Sequence, residues 1–157
     1  MNSVIVYDSA YGNTAKVAHA IGAAVRDYGQ SIVLLVDEAD NSKLAGIDLL
    51  IIGSPTQAGR ATQAIQDFIT ALPKFSGVKF AAFDTRLAEN DQGMVLRLFM
   101  KTLGYAAEKM SVAIEAKSGE MVQAPEGFIV IGKEGPLKDG ELERATGWSR
   151  GLLAAEL

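Results

Sequence analysis

Short, continuous apolar runs alternate along this chain with stretches in which apolar residues recur every three or four positions. Val4-Ile5-Val6-Tyr7 is the first run. It is β-branched and uninterrupted, the pattern of a strand buried on both faces. Asp8 to Thr14 is small and polar; Val17, Ala18, Ile21 and Val25 then follow at helical spacing, and Gly29 ends the element. The cycle repeats. Ser31 to Val36 predicts a second strand, Lys43 to Gly46 a short helix, and Leu49-Leu50-Ile51-Ile52 a third strand running into Gly53-Ser54-Pro55-Thr56. Ile65, Phe68, Ile69 and Leu72 predict a helix stopped near Pro73, and Lys79 to Phe83 a fourth strand.

Beyond Asp84 the pattern is less regular. Met94 to Leu103 reads as a helix with apolar residues nearly all round, broken by Gly104. Tyr105 to Lys117 reads as another, with Ala106, Met110, Ala113 and Ile114 inward. Met121 to Gln123 and Phe128 to Ile131 are two β pieces around Ala124-Pro125-Glu126-Gly127, taken as one kinked fifth strand because proline cannot donate a ladder hydrogen bond. Asp139-Gly140-Glu141 opens the last helix, with Leu142, Ala145, Trp148 and Leu152 as its buried stripe. Strands alternating with helices predict a doubly wound α/β fold, a five-stranded parallel sheet between two helical layers. Nothing marks a linker or a repeat, so residues 1–157 are expected to form one domain.

Composition narrows the chemistry. The net charge of −4 disfavours a nucleic-acid backbone as partner. With no cysteine there is no disulfide, thiolate metal site or thiol nucleophile. One histidine, His19, cannot build a multi-histidine metal site and is expected at the surface. The absence of cysteine, of a signal-like start and of any run near the roughly 20 apolar residues of a membrane span leads us to expect a cytoplasmic chain without membrane contact.

Three loops at the carboxyl ends of the strands carry the candidate chemistry, since ligands of open α/β sheets bind there. The first, Ser9-Ala10-Tyr11-Gly12-Asn13-Thr14, opens a helix whose unpaired N–H groups suit an anion. Ser9 and Thr14 add hydroxyls, Asn13 an amide, and Gly12 lets the backbone approach. The loop is neither a Walker A sequence nor a dinucleotide fingerprint, and plain helix capping is its alternative reading. The second, Ser54 to Arg60, offers the hydroxyls of Ser54 and Thr56 and is expected to lay Gln57, Ala58 and Gly59 along one face of a flat ligand, with a simple strand-to-helix connector as its alternative reading. The third begins Asp84-Thr85-Arg86; its backbone suits a ring edge, while Arg86 is expected as a solvated surface charge, with anion contact as the alternative.

The segment VIVYDSAYGNTAKVAHAI, with Tyr7, Ser9, Gly12, Thr14, Ala18 and Ile21, resembles the N-terminal signature of the flavodoxin family. Ile52-Gly53-Ser54-Pro55-Thr56 resembles the family's loop after the third strand. The resemblance implies sheet order 2-1-3-4-5 and FMN as cofactor. It implies that Ser9, Tyr11, Gly12, Asn13 and Thr14 hold the phosphate, and that Ser54, Pro55, Thr56 and Gln57 border the ribityl chain and one ring face. The chain departs from the family after the fourth strand, where Asp84 to Gly93 contains no aromatic residue to stack on a flavin. Phe83-Asp84-Thr85-Arg86, Gly104-Tyr105-Ala106-Ala107 and Glu134-Gly135-Pro136-Leu137 mark a divergent branch. Tyr105, or else Tyr11, is the candidate replacement for the missing ring.

The leading expectation is an FMN-dependent electron carrier with a redox partner protein or small acceptor, in which no side chain acts as acid or base. The alternatives are an FMN-dependent NAD(P)H:quinone-type reductase and an interaction module without flavin. A receiver domain is excluded, because Gly53-Ser54 stands where it needs an aspartate. The Met94–Leu103 helix is expected to pack on the sheet; covering the open cleft, or pairing in a homodimer, are its alternatives.

Overall fold

The computed structural model describes residues 1–88 and 93–154. Five strand positions lie in the order 2-1-3-4-5: β2 (Gln30–Leu35), β1 (Asn2–Tyr7), β3 (Leu49–Pro55), β4 (Lys79–Leu87), then β5 (Glu120–Met121) and β6 (Glu126–Val130), both on the far side of β4. The pairings between these strands are parallel. The pair β5 and β6 is the expected kinked fifth strand. Lys79 and Phe80 pair with Glu120 and Met121, and pairing resumes at Phe83 with Glu126. Pro125 sits in the break, and the Trp148 indole donates to the Ala124 carbonyl at 3.4 Å.

Side chains of each strand point alternately to the two faces, and both faces are apolar, which is why the runs are continuous. Val4, Val6, Leu50, Ile52, Phe80 and Ala82 meet Ile65 and Ile69 of α2 (Gln63–Ala71) and Met110 and Ile114 of α4 (Ala106–Glu115). Ile5, Tyr7, Leu49, Ile51, Ala81 and Phe83 meet Val17, Ala18 and Ile21 of α1 (Asn13–Val25) and Ala145, Trp148 and Leu152 of α5 (Glu141–Ala154). Phe83, Phe128 and Trp148 pack edge to face with centroids 6.0–6.3 Å apart. Gly53 faces this cluster, and a Cβ there would lie 2.1 Å from the Phe83 ring.

Four expectations change. Residues 41–46 form turns rather than a helix at Lys43–Gly46, stabilised by Asp40, whose carboxylate accepts from the Ser42 and Lys43 amides. β4 runs four residues further than its apolar stretch, because Ser54 and Pro55 pair with Asp84 and Thr85 on one side and β6 pairs on the other. Asp84-Thr85-Arg86 is therefore strand, not loop. Leu142 is exposed, and the inward place at the start of α5 belongs to Glu141. Finally α3 (Met94–Leu103) is a helix that does not pack on the sheet and buries none of its residues.

Glu141 fastens α5 to β6. Its carboxylate accepts from the Ile129 amide at 2.6 Å and from Arg144 at 2.6 and 3.0 Å; Arg144 also pairs with Glu126 at 2.9 Å and lies over the Phe128 ring. Burial alone would push the Glu141 carboxyl up, but Arg144 and the Ile129 amide hold it below the usual carboxylate range. A lowered pKa in the folded state adds stability above the unfolded pKa and loses it as the pH falls through the folded one. Glu141→Gln is therefore expected to cost about 1.5–3 kcal/mol near neutral pH. The gap to wild type should close as the pH drops below the carboxylate range. Urea midpoints against pH check this; a gap that stays constant would contradict the assignment.

Candidate functional site

The first strand ends at Tyr7 because Asp8 turns away, its carboxylate accepting from the Ser9 amide at 2.8 Å. The Ser9 hydroxyl then accepts from the amides of Gly12 (3.0 Å) and Ala15 (3.3 Å), winding the loop about one side chain. Gly12, at φ +89°, makes the turn into α1. The first helical hydrogen bond runs from Lys16 to the Gly12 carbonyl, so the Asn13 and Thr14 amides have no intrahelical acceptor. They give the loop mouth its positive potential.

The side chains of this loop mostly bind protein. The Asn13 amide donates to the Glu134 carbonyl at 3.0 Å, and the Thr14 hydroxyl shares a 2.8 Å hydrogen bond with that of Thr85. Both are buried. Residues 132–137 thus lean on the loop so closely that a Cβ on Gly135 would come within 2.6 Å of the Asn13 side chain. Hydroxyl and amide groups expected to face a ligand also hold the backbone in shape.

A cleft of about 520 Å³ opens above the strand ends, within the roughly 300–1,000 Å³ of small-molecule sites. Ser9, Ala10, Tyr11, Asn13 and Thr14 line one end, Pro55, Thr56, Gln57 and Ala58 one wall, and Thr85 and Arg86 the floor. Eleven of the fifteen candidate residues therefore meet in one place. Gly12, Ser54, Gly59 and Asp84 do not line it. Ser54 is buried, accepting from the Thr62 amide and donating to the Pro55 carbonyl, which closes the loop between them. Gly59 is buried against Leu103. Ala58 and Gly59 both have positive φ between the paired Gln57 and Arg60, a tight turn of the kind joining hairpin strands. The Lys109 ammonium braces it from the Gly59 carbonyl at 2.6 Å.

Asp84 lies beneath the cleft, wholly buried. It accepts from Arg86 through two hydrogen bonds of 2.7 and 2.8 Å and from the Ala107 amide at 2.9 Å, capping α4. Burial pushes its carboxyl up, against the Arg86 fork and the Ala107 amide, which favour the ionised form. Burial also opposes the charge on Arg86, and Asp84 with Glu108 more than offsets it. Arg86 is thus not a solvated charge: its side chain is 14% exposed and lies 3.8 Å over the Tyr105 ring. Tyr105 is held there and does not reach the cleft; Tyr11 is the aromatic residue that lines it among those described. Glu89 to Gln92, part of the stretch expected to border the ring, fall outside the described residues. His19 is exposed, its ring edge-on to Tyr7.

Leu87, Val130 and Lys133 also line the cleft and were not among the expected residues. Leu87 joins because β4 continues. Val130 ends β6, so the strand-end rule pointed to it and to the turn carrying Lys133.

The flavodoxin domain profile matches residues 4–118, spanning the Ser9–Thr14 loop, the Pro55–Ala58 wall, the Thr85–Arg86 floor and α4. The chain belongs to the flavodoxin family. Known structures agree with the fold across the whole molecule. Oxidised flavodoxin 2 from Bacillus cereus is 18% identical, with a TM-score of 0.74 over 98% of this chain and 99% of its own. The flavodoxin, WrbA-like protein from Agrobacterium tumefaciens is 19% identical, with a TM-score of 0.68 over 99% and 97%. Rubredoxin oxygen:oxidoreductase from Desulfovibrio gigas contains a similar unit, 17% identical with a TM-score of 0.66, covering 99% of this chain and 37% of that one. No curated protein sequence matches the chain. Among the described residues no helix is long and apolar enough to cross a membrane.

Proposed function

We propose that this flavodoxin-family protein binds FMN in the cleft and works as an electron carrier. The observation that carries the reading is the Ser9–Thr14 loop, which lines the same cleft as Pro55–Ala58 and Thr85–Leu87 and leaves the Asn13 and Thr14 amides without an intrahelical acceptor. In this reading the backbone N–H groups of Ala10, Tyr11, Asn13 and Thr14 hold the phosphate, Ser9 and Gly12 shape the loop through their own hydrogen bond, and exposed Lys133 offsets the charge. Pro55, Thr56, Gln57 and Ala58 border the ribityl chain and one ring face, with Thr85, Arg86 and Leu87 beneath. Ser54, Gly59 and Asp84 shape the site from behind. FMN supplies the redox chemistry when bound; the chain supplies binding, orientation and exclusion of water. A similar unit within an oxidoreductase named for rubredoxin and oxygen fits an electron-transfer role.

A second reading has its own support. Tyr11, half exposed at the rim, is the aromatic lining of the cleft, and the space left open would admit a substrate beside the ring. That is the geometry an FMN-dependent nicotinamide:quinone reductase needs. Anaerobic reduction of the FMN-loaded protein, then mixing with ferricyanide, separates the two. The carrier reading predicts stoichiometric reoxidation and no sustained NADPH oxidation when benzoquinone is supplied. Saturable, sustained turnover of NADPH with the quinone would overturn the carrier and establish the reductase.

A further inference from the structure

The helix α3 carries a broad apolar surface beside a polar edge of Arg97 and Lys101, yet none of its residues is buried. An apolar stripe of that width ordinarily faces another apolar surface. Met94 is 72% exposed, Val95 81%, Leu98 61% and Phe99 57%. Met94 with Leu98, and Val95 with Phe99, stand four residues apart, so they form two adjacent rows along the helix. These rows border an apolar concavity lined by Gly93, Met94, Val95, Leu96 and Phe99. The least exposed members, Met100 and Leu103, turn toward the molecule, where Leu103 abuts Gly59. Met94, Val95, Leu98 and Phe99 themselves lie in solvent.

We propose that this seam is covered by a second copy of the chain, α3 against α3 across a twofold axis. Area supports that occupant. The exposed side chains of Met94, Val95, Leu98 and Phe99 leave on the order of 500 Å² in water, the upper end of what a monomer keeps contiguous. One isologous contact covers both copies' seams at once. It removes on the order of 1,000 Å², which reaches the size of a specific interface. Arg97 and Lys101 follow one another along one edge, where water screens their charge from the twin helix. The concavity receives side chains from the opposing row as knobs enter holes. The contact uses no cleft residue, so it stands independently of the cofactor.

Sedimentation equilibrium tests it. The full chain is expected at twice its 16.6 kDa mass in the micromolar range, whether or not FMN has been added. Val95→Glu/Leu98→Glu is expected to be monomeric with unchanged circular dichroism and thermal midpoint, since both positions are exposed. If the double variant melts early, Leu98→Ser replaces it, with association weakened by roughly tenfold. A wild-type monomer overturns the proposal, even if it sediments with phosphatidylglycerol vesicles, which would give the seam to a lipid surface. A dimer that survives these substitutions in folded protein overturns it as well.

Discussion

Asp84→Ala is expected to lower the unfolding free energy by about 3–5 kcal/mol, the cost of leaving a buried charge without its partner. The carboxylate it removes holds both Arg86 and the Ala107 amide, tying the polar end of β4 to the first turn of α4. Asp84→Asn keeps an acceptor for Ala107 and should fall between Ala and wild type. Asp84→Ala combined with Arg86→Met removes both charges and should be less destabilised than Asp84→Ala alone. Urea midpoints give all three values. An Asp84→Ala cost below about 1 kcal/mol, the ordinary value of a single hydrogen bond, would show that the pair does not hold this corner.

This corner also marks the limit of what the residues revealed before the fold was known. Val4–Tyr7 and Leu49–Ile52 were legible because both faces of the sheet are covered, leaving an uninterrupted apolar run. The helical stripes at Val17, Ile21, Ile65 and Ile69 were legible because one side of each helix meets that sheet. Asp84-Thr85-Arg86 was not, because its polar side chains satisfy one another and their neighbours within the sheet, and polarity alone reads as loop. Leu142 and Glu141 exchanged places for the same reason: a carboxylate with an arginine and an amide as partners can take an inward position.

The site divided along similar lines. Backbone geometry at a helix start follows from local sequence, and Ser9–Thr14 does form the expected turn into α1. The partners of Asn13 and Thr14 lie 121 and 71 residues away, beyond any local pattern. Lys133 was overlooked because its turn carries no signal except its place after the last strand. The exposure of α3 was hidden because a broad apolar stripe on a helix reads as packed, whatever covers it.

Ala10→Glu is expected to abolish most of the affinity for FMN without unfolding the chain. Ala10 is exposed and lines the end of the cleft formed by the Ser9–Thr14 loop, the end proposed to hold the phosphate, so the larger side chain meets no core. A carboxylate about 5 Å from a phosphate at an effective dielectric constant of about 20 costs roughly 3 kcal/mol per unit of charge. That is at least about a hundred-fold in Kd. Riboflavin, which has no phosphate, should bind the variant and the wild type equally. Equal loss for both flavins would place the effect outside the phosphate loop.

The wild-type half of that comparison bears most directly on the account: titration with FMN and riboflavin side by side, followed by gel filtration and a visible spectrum. The account predicts a flavin spectrum retained after FMN loading, and riboflavin bound at least about tenfold more weakly, because the loop amides are built for an anion. Protein that stays colourless after FMN loading, or that binds the two flavins alike, would contradict it.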